Sequence, residues 1–107
     1  MFYALIKSTV DHFTKCLAVE LGPKGVRVNV VNPGFFPETY ELSRAGINDN
    51  DQQWCVKMAS EAYPLGRTGK LDEACDAILY LSSEQASFVT GNLMPVDGGN
   101  LAQIARS

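Results

Sequence analysis

Apolar residues recur every three or four positions along the start of the chain, which is the spacing of one helical face. This spacing predicts a helix from Tyr3 to Leu21. Val10, Phe13, Leu17 and Leu21 form one apolar stripe, and a second set (Leu5, Ile6, Cys16 and Val19) widens it, so more than one face is expected to be covered. Gly22 is expected to end the helix in the left-handed conformation, because Pro23 cannot continue it.

The apolar pattern then changes to one that is typical of strands. β-Branched residues and alternation predict a strand over Val26–Val31, and Asn32-Pro33-Gly34 directly after it is a loop signal. The interval from Phe35 to Asp51 shows no sustained period. With its Asn-Asp-Asn-Asp run at 48–51, it is therefore predicted to be a loop.

The second half of the chain predicts two more helices and a strand. The helices are expected over Gln52–Ala62, ended before Pro64, and over Leu71–Leu81. The core stripe of the later helix is expected to be Ala74, Ile78 and Leu81. The last strand is predicted over Asn92–Val96, with a turn at Asp97-Gly98-Gly99.

The element order predicts an α/β fold with a parallel sheet. Strands separated by a long helical connection are the usual ingredients of such a sheet. Two strands cannot make a stable parallel sheet alone, because both faces need covering. The pattern is therefore typical of one part of a larger fold.

Composition and charge exclude several classes of protein. The 107 residues carry a formal net charge of −3 with no run of basic residues, so no nucleic-acid partner is expected. No apolar stretch approaches the roughly 18–20 residues of a membrane span, and no signal-peptide pattern occurs. Three widely separated cysteines have no metal-binding spacing, so we expect no metal site, free thiols and a cytoplasmic protein.

The candidate chemistry begins with Tyr3 and Lys7, four residues apart in the first predicted helix. One helical turn places a phenol and an ammonium on the same face. A phenol beside a cation loses its proton more easily. The pair is therefore a candidate acid/base centre for moving a proton on or off a carbonyl oxygen, although taken alone it is also common as an ordinary surface pair.

Further motifs follow this pair in a fixed order, and together they resemble a known family. The motifs are Tyr3-x-x-x-Lys7, Val26-Arg27-Val28-Asn29, Asn32-Pro33-Gly34, Gly66-Arg67-x-Gly69, Ala86-Ser87-Phe88-Val89-Thr90-Gly91 and Val96-Asp97-Gly98-Gly99. Over nearly its whole length, the chain closely resembles the C-terminal part of the short-chain dehydrogenase/reductases. The resemblance implies that residues 1–107 are the C-terminal part of one such domain, within a Rossmann-type doubly wound parallel sheet whose N-terminal strands are absent.

The resemblance also implies an activity, namely NAD(P)-dependent transfer of hydride between nicotinamide and a carbonyl or alcohol. In the family, the tyrosine that matches Tyr3 is the catalytic proton donor and acceptor. The lysine that matches Lys7 bonds the ribose of the nicotinamide nucleotide and eases ionisation of the tyrosine. Tyr3 and Lys7 are thus the expected catalytic residues, and both also border the cofactor.

The same resemblance assigns cofactor contacts to the loop after the first strand. Pro33, Gly34 and Phe36 match the family loop that contacts the nicotinamide carboxamide. The family usually places a threonine four residues after this glycine. Here that position is Glu38, and Thr39 comes one residue later, so Thr39 is the expected carboxamide contact.

Several residues keep two interpretations. Phe35, Phe36, Tyr40 and Trp54 lie where the family covers its substrate, but each could equally pack on neighbouring helices. Arg67 is expected to bridge loop carbonyls rather than to anchor a substrate, Asp97-Gly98-Gly99 to be a structural turn, and His12 to be a surface residue.

The family parts that distinguish NAD from NADP have no counterpart in this chain, so the cofactor is expected to be either. The isolated chain is expected to be inactive and to expose apolar helix and strand faces, and the full-length form to be a homodimer or homotetramer. The alternative is a non-catalytic interaction module that pairs with full-length relatives. The substrate, beyond a small carbonyl or alcohol compound, is not specified by the sequence.

Overall fold

The computed structural model describes residues 1–38 and 46–106. The described part contains three α-helices, which we label α1 (Phe2–Leu21), α2 (Asp49–Ala62) and α3 (Leu71–Ser82). It also contains two strands, β1 (Val30–Pro33) and β2 (Leu93–Val96). Short 3₁₀ turns occupy Gly22–Lys24, Glu84–Ala86 and Leu101–Arg106. The predicted order of helices and strands is confirmed.

The two strands pair with each other in one parallel sheet. The amide of Val30 donates to the carbonyl of Asn92 at 3.0 Å, and the amide of Gly34 donates to the carbonyl of Val96 at 2.9 Å. The residue numbers rise together on both strands, so the strands run in the same direction. The predicted parallel α/β class is therefore confirmed.

The chain divides into two compact units. The first comprises Met1–Val31 and Ala77–Met94, and the second comprises Asn32–Asp76 and Pro95–Ser107. The first unit contains all of α1 and the end of α3, whereas the second contains all of α2 and the segment that follows β1.

The predicted strand over Val26–Val31 is wrong at its start, because β1 begins only at Val30. Side chains replace part of the backbone ladder before that residue. The amide of Val28 donates to the hydroxyl of Thr90 at 3.0 Å. The side chain of Asn29 donates to the Val89 carbonyl at 2.9 Å and accepts from the Asn92 amide at 3.0 Å. β-Branched content cannot reveal such side-chain pairing, which is why the sequence suggested regular strand.

The guanidinium of Arg27 anchors the same stretch to the loop before β2. It donates to the carbonyls of Leu81 at 2.6 Å, Ser83 at 3.2 Å and Val89 at 3.3 Å. These carbonyls include one in the last turn of α3, where helical acceptors lack intrahelical partners. Arg27 therefore caps α3 and joins it to the segment that leads into β1.

The end of α1 also differs from the prediction. Gly22 is right-handed, with φ −53° and ψ −45°, and it opens a 3₁₀ turn rather than a left-handed cap. Gly25, with φ +75°, is the left-handed residue. Pro23 is accommodated inside the turn, because its fixed φ suits the first positions of a helical segment.

Helix α2 begins three residues earlier than predicted. The side chain of Asn48 caps it by accepting from the amide of Asp51 at 2.9 Å, and Asp49 and Asp51 lie in its first turn. Negative charge there interacts favourably with the helix dipole. The polar run that resembled a loop is therefore the helix N-terminus.

The buried face of α1 is not the predicted stripe. Thr14 and Ala18 are its buried residues, each 6% exposed, whereas Phe13 is 58% exposed. The small side chain of Ala18 allows a close approach, since a Cβ at Gly91 would lie 3.4 Å from its own. The hydroxyl of Thr14 donates to the Val10 carbonyl at 2.9 Å, so its polar group is satisfied despite burial.

The predicted stripe on α3 is confirmed in part. Leu81 is buried, but Ile78 is half exposed. Among the residues that the structure describes, no helix combines the length and apolar character needed to cross a bilayer.

Candidate active site

Tyr3 and Lys7 lie on the same side of α1, as the one-turn spacing predicts. The ammonium nitrogen of Lys7 lies over the Tyr3 ring, 5.6 Å from the ring centroid. At this distance a cation is attracted to the face of an aromatic ring. The interaction keeps the ammonium beside the phenol, and Tyr3 remains 75% exposed and accessible to a ligand.

The local sequence explains why a helix carries this pair. Residues 2–7 contain no glycine or proline, and the amide of Leu5 donates to the carbonyl of Met1 at 3.2 Å, which closes the first turn. The hydroxyl of Thr9 donates a hydrogen bond to the Leu5 carbonyl at 2.8 Å. Backbone regularity therefore fixes the relative direction of the two side chains.

The second group of predicted residues surrounds the end of β1 in the other unit. Pro33 ends the strand and is exposed, and Gly34 follows it directly. A Cβ on Gly34 would lie only 2.9 Å from the Cα of Asp97 and 3.0 Å from the hydroxyl oxygen of Tyr63. Glycine is therefore required here by close backbone approach.

Phe36 is a buried residue, only 5% exposed. Its ring packs against Gly69, where a Cβ would lie 2.6 Å from the ring carbon Cζ. The amide of Gly69 also donates to the carbonyl of Phe35 at 3.1 Å. The Phe36 side chain therefore packs on a loop glycine, and it also lines the cleft described below.

Tyr63 is a site residue that the sequence analysis missed. It follows α2 directly, and its hydroxyl oxygen accepts a hydrogen bond from the Phe35 amide at 2.8 Å. Its ring also approaches Gly98, where a Cβ would lie 3.3 Å from the ring carbon Cδ2. The partners are 28 and 35 positions away, so no local sequence pattern could have revealed them.

These residues line a cleft in the second unit. Its volume is about 240 Å³, and its walls include Phe35, Tyr63, Leu65, Val96 and Gly98. The walls combine aromatic and aliphatic carbon with backbone polar groups, which is the usual composition of a small-molecule pocket.

An ion pair lies on the border of the same cleft. Arg67 contacts both carboxylate oxygens of Glu73, at 2.6 and 2.9 Å, and also donates to the Thr68 carbonyl at 3.1 Å. The hydrogen bond from Arg67, followed by that from the Lys70 amide, lowers the pKa of Glu73 to about 2. The predicted bridge between loop carbonyls is reduced to a bond with one carbonyl, that of Thr68, and the main partner is a carboxylate that the sequence did not suggest.

The remaining predicted residues have different outcomes. Thr39 and Tyr40 lie outside the described residues. Trp54 is 63% exposed on α2, and His12 is exposed on α1. Tyr3 and Lys7 belong to the first unit, whereas the Pro33–Phe36 loop belongs to the second.

Comparison with known proteins identifies the family. A family model described as enoyl-(acyl carrier protein) reductase matches residues 1–100. L-xylulose reductase from Bos taurus is 39% identical over 100 residues, which cover 94% of this chain and 39% of that protein. The 3-oxoacyl-[acyl-carrier-protein] reductase of Chlamydia muridarum is 38% identical over 97 residues, covering 91% of this chain and 36% of the relative.

A solved structure shows the same fold. It is a short-chain dehydrogenase/reductase of unknown function from Caenorhabditis elegans, with cofactor, and it superposes with a TM-score of 0.84 at 30% identity. The match covers 94% of this chain and 38% of that structure. The predicted fold class, an incomplete Rossmann-type α/β sheet, is therefore confirmed. The chain belongs to the short-chain dehydrogenase/reductase family and spans a little over a third of the length of these relatives.

Membership implies a nicotinamide cofactor, and part of this chain fits one. Lys7 is exposed and has N–H donors that suit ribose hydroxyls, and it stands beside a phenol. The amides of Gly34 and Phe35 already donate to Val96 and Tyr63. Those two amides are therefore already engaged within the protein and are not free to bind a ligand.

Proposed function

We propose that this chain provides the proton-transfer centre and one wall of the nicotinamide site of an NAD(P)-dependent oxidoreductase. The observation that carries the proposal is the position of the Lys7 ammonium, 5.6 Å from the centroid of the exposed Tyr3 ring. An accessible phenol next to a cation is suited to exchange a proton with a substrate oxygen.

In this proposal Tyr3 is the general acid and base. Tyr3 gives its phenolic proton to the carbonyl oxygen of the substrate in reduction, and it takes a proton from the hydroxyl group in oxidation. The positive charge of Lys7 stabilises the phenolate that remains when the proton has left. The nicotinamide, when bound, supplies or accepts the hydride.

Lys7 has a second role in the proposal, which is to hold the ribose of the nucleotide. Its three N–H donors exceed what the interaction with the Tyr3 ring uses, so they remain available for hydroxyl groups. The loop from Pro33 to Phe36 is proposed to border the nicotinamide ring, with Thr39 beside the carboxamide. The buried Phe36 ring would keep this wall rigid, since it is held against Gly69.

The substrate class follows from the relatives. One of them is named for reduction of L-xylulose and another for reduction of a 3-oxoacyl group on acyl carrier protein. Both names describe reduction of a ketone. We therefore infer that the natural substrate is a small ketone or the corresponding secondary alcohol, handled by a homodimer or homotetramer.

The experiment is a substrate panel with the full-length protein. L-xylulose, a 3-oxoacyl thioester and simple ketones would each be offered with NADH and with NADPH, and oxidation of the cofactor followed by absorbance. Turnover of at least one ketone that is lost in Tyr3→Phe supports the proposal. Turnover that survives in Tyr3→Phe would show that another group transfers the proton.

A second candidate function rests on a different observation. Large apolar side chains are exposed along α1, among them Phe2, Ile6, Phe13 and Val19. Several large apolar side chains exposed on one helix are typical of an interaction site, so a non-catalytic module that pairs with full-length relatives also fits. Co-expression with a full-length relative, followed by light scattering, distinguishes the two: a mixed complex favours the module if this protein shows no ketone turnover in the absence of the relative.

A further inference from the structure

We infer that Tyr63 is a positioning residue that sets the nicotinamide-facing loop through one hydrogen bond. The inference rests on the proposed function, because it is this function that makes the loop from Pro33 to Phe36 a cofactor wall. It adds a residue from a different element, directly after α2, to the machinery of the site.

Hydrogen bonds hold the loop from Pro33 to Phe36 in place. Gly34 donates to the backbone carbonyl of Val96 at 2.9 Å, and the carbonyl of Phe35 accepts from the backbone of Gly69 at 3.1 Å. The amide of Phe35 differs, since it donates to a side-chain oxygen, that of Tyr63, at 2.8 Å. The orientation of the peptide between Gly34 and Phe35 therefore depends in part on the position of a phenol group.

Tyr63 itself is held through both its backbone and its ring. Its amide donates to the carbonyl of Ala59 at 3.0 Å, and its carbonyl accepts from the amide of Gly66 at 2.8 Å. Its ring lies close to Gly98, whose φ of +61° brings the backbone near without a side chain in the way. A phenol fixed at both its backbone and its ring can act as a rigid hydrogen-bond acceptor.

The hydroxyl group of Tyr63 also limits the space around Gly34. Gly34 has no room for a Cβ, because the hydroxyl oxygen of Tyr63 and the Cα of Asp97 would lie within about 3 Å of it. The Pro33–Phe36 loop is thus confined between Tyr63 and the turn after β2, with little freedom to shift. Loss of the hydroxyl group would loosen the Phe35 amide, and the loop would then have to be ordered when the cofactor binds, which lowers affinity.

The test compares Tyr63→Phe with Tyr80→Phe in the full-length protein. Both changes remove one hydroxyl group, but Tyr80 is a partly exposed residue of α3. In Tyr63→Phe we expect the Phe35 amide to exchange with deuterium on the order of tenfold faster, since one hydrogen bond is lost. We also expect the Kd and KM for NADH or NADPH to rise by about tenfold while kcat changes by less than about threefold.

Tyr80→Phe should leave exchange at Phe35 and cofactor affinity within about twofold of the parent. If Tyr63→Phe does not fold, 3,5-difluorotyrosine at position 63 provides the second variant. It keeps the ring and hydroxyl group but weakens the neutral oxygen as an acceptor, so a smaller shift in the same direction is expected at a pH low enough to keep this phenol protonated.

The outcomes separate the two proposals. Unchanged exchange at Phe35 would show that the hydrogen bond does not hold the loop, and this inference would be wrong. Faster exchange with unchanged nicotinamide affinity and KM would also overturn it, while leaving the proposed function intact. A parent protein that binds neither NADH nor NADPH would overturn the proposed function and the role of Tyr63 together.

Discussion

The ring of Phe36 packs directly on the bare backbone of Gly69. A Cβ at residue 69 would lie 2.6 Å from the ring carbon Cζ, which no ordinary contact allows, and the ring itself is only 5% exposed. The two residues therefore form a complementary pair in which a large side chain requires the absence of another.

The first prediction concerns this pair. Gly69→Ala should lower the free energy of unfolding by about 1–3 kcal/mol, because the added methyl group overpacks a filled site. Gly22→Ala is the matched control: Gly22 is right-handed and has nothing within 4 Å of a Cβ, so it should be neutral or stabilising by up to ~1 kcal/mol. Denaturant unfolding of both variants measures the difference.

A double variant tests the cause of that loss. Phe36→Leu combined with Gly69→Ala should recover part of the stability lost in Gly69→Ala alone, because a smaller side chain makes room for the methyl group. Strictly additive effects would mean that the two residues do not compete for the same space.

The second prediction concerns Tyr3. Tyr3→Phe in the full-length protein should lower turnover about 10²–10⁴-fold, the usual range for loss of a general acid or base. Affinity for the nicotinamide should stay within about twofold, because the Lys7 ammonium is retained. Initial rates and fluorescence titration measure the two quantities, and a large loss of affinity would assign Tyr3 a binding role instead.

The third prediction separates Lys7 from Tyr3. Lys7→Met should reduce both turnover and nicotinamide affinity, the latter by about tenfold or more, because a charged hydrogen bond to the ribose is lost. Lys15→Met provides the control on the same helix, where an exposed lysine is removed away from the phenol. Equal effects of the two substitutions would indicate a general effect of charge rather than a specific site.

The fourth prediction follows from the Arg67–Glu73 ion pair. The pKa of Glu73 lies at about 2, below its ordinary value of 4.5, because of the hydrogen bonds from Arg67 and the Lys70 amide. The folded state therefore holds the carboxylate more strongly than the unfolded state does. Its contribution to stability is fully present above about pH 4.5 and is lost as the pH falls towards 2.

Carbon-detected NMR titration of the Glu73 carboxyl measures this pKa directly. In Arg67→Met it should move up towards its ordinary value without reaching it, because the Lys70 amide still donates to the carboxylate at 2.9 Å. Glu73→Gln should flatten the dependence of unfolding on pH between about 4.5 and 2. A carboxyl that titrates near 4.5 in the parent would contradict the observed geometry.

The elements that the sequence predicted well are those defined by local periodicity. α3 begins at Leu71 and extends one residue beyond its predicted end, and the predicted helix over Tyr3–Leu21 closely matches α1. The buried side of α1 was not predictable in the same way, because that helix carries more than one apolar stripe. Which side of the helix packs depends on small residues such as Ala18, because they let another backbone segment come close.

The errors have a common physical origin. The start of α2 was missed because Asn48 and the aspartates after it suit both loops and helix N-termini, and only the hydrogen bond to Asp51 distinguishes the two. The role of Tyr63 was missed because its partner is distant in sequence. Motifs, by contrast, located Tyr3 and Lys7 correctly as neighbours on one helical face.

The side chain of Asn29 has a consequence for how the two strands find their alignment. Its amide group offers a donor to Val89 and an acceptor to Asn92, so it satisfies two backbone groups on one specific stretch of the opposite segment. A slip of one residue would break both of these hydrogen bonds and turn every apolar side chain of β2 to the other face. A single carboxamide thus favours one alignment of the two strands over its slipped neighbours.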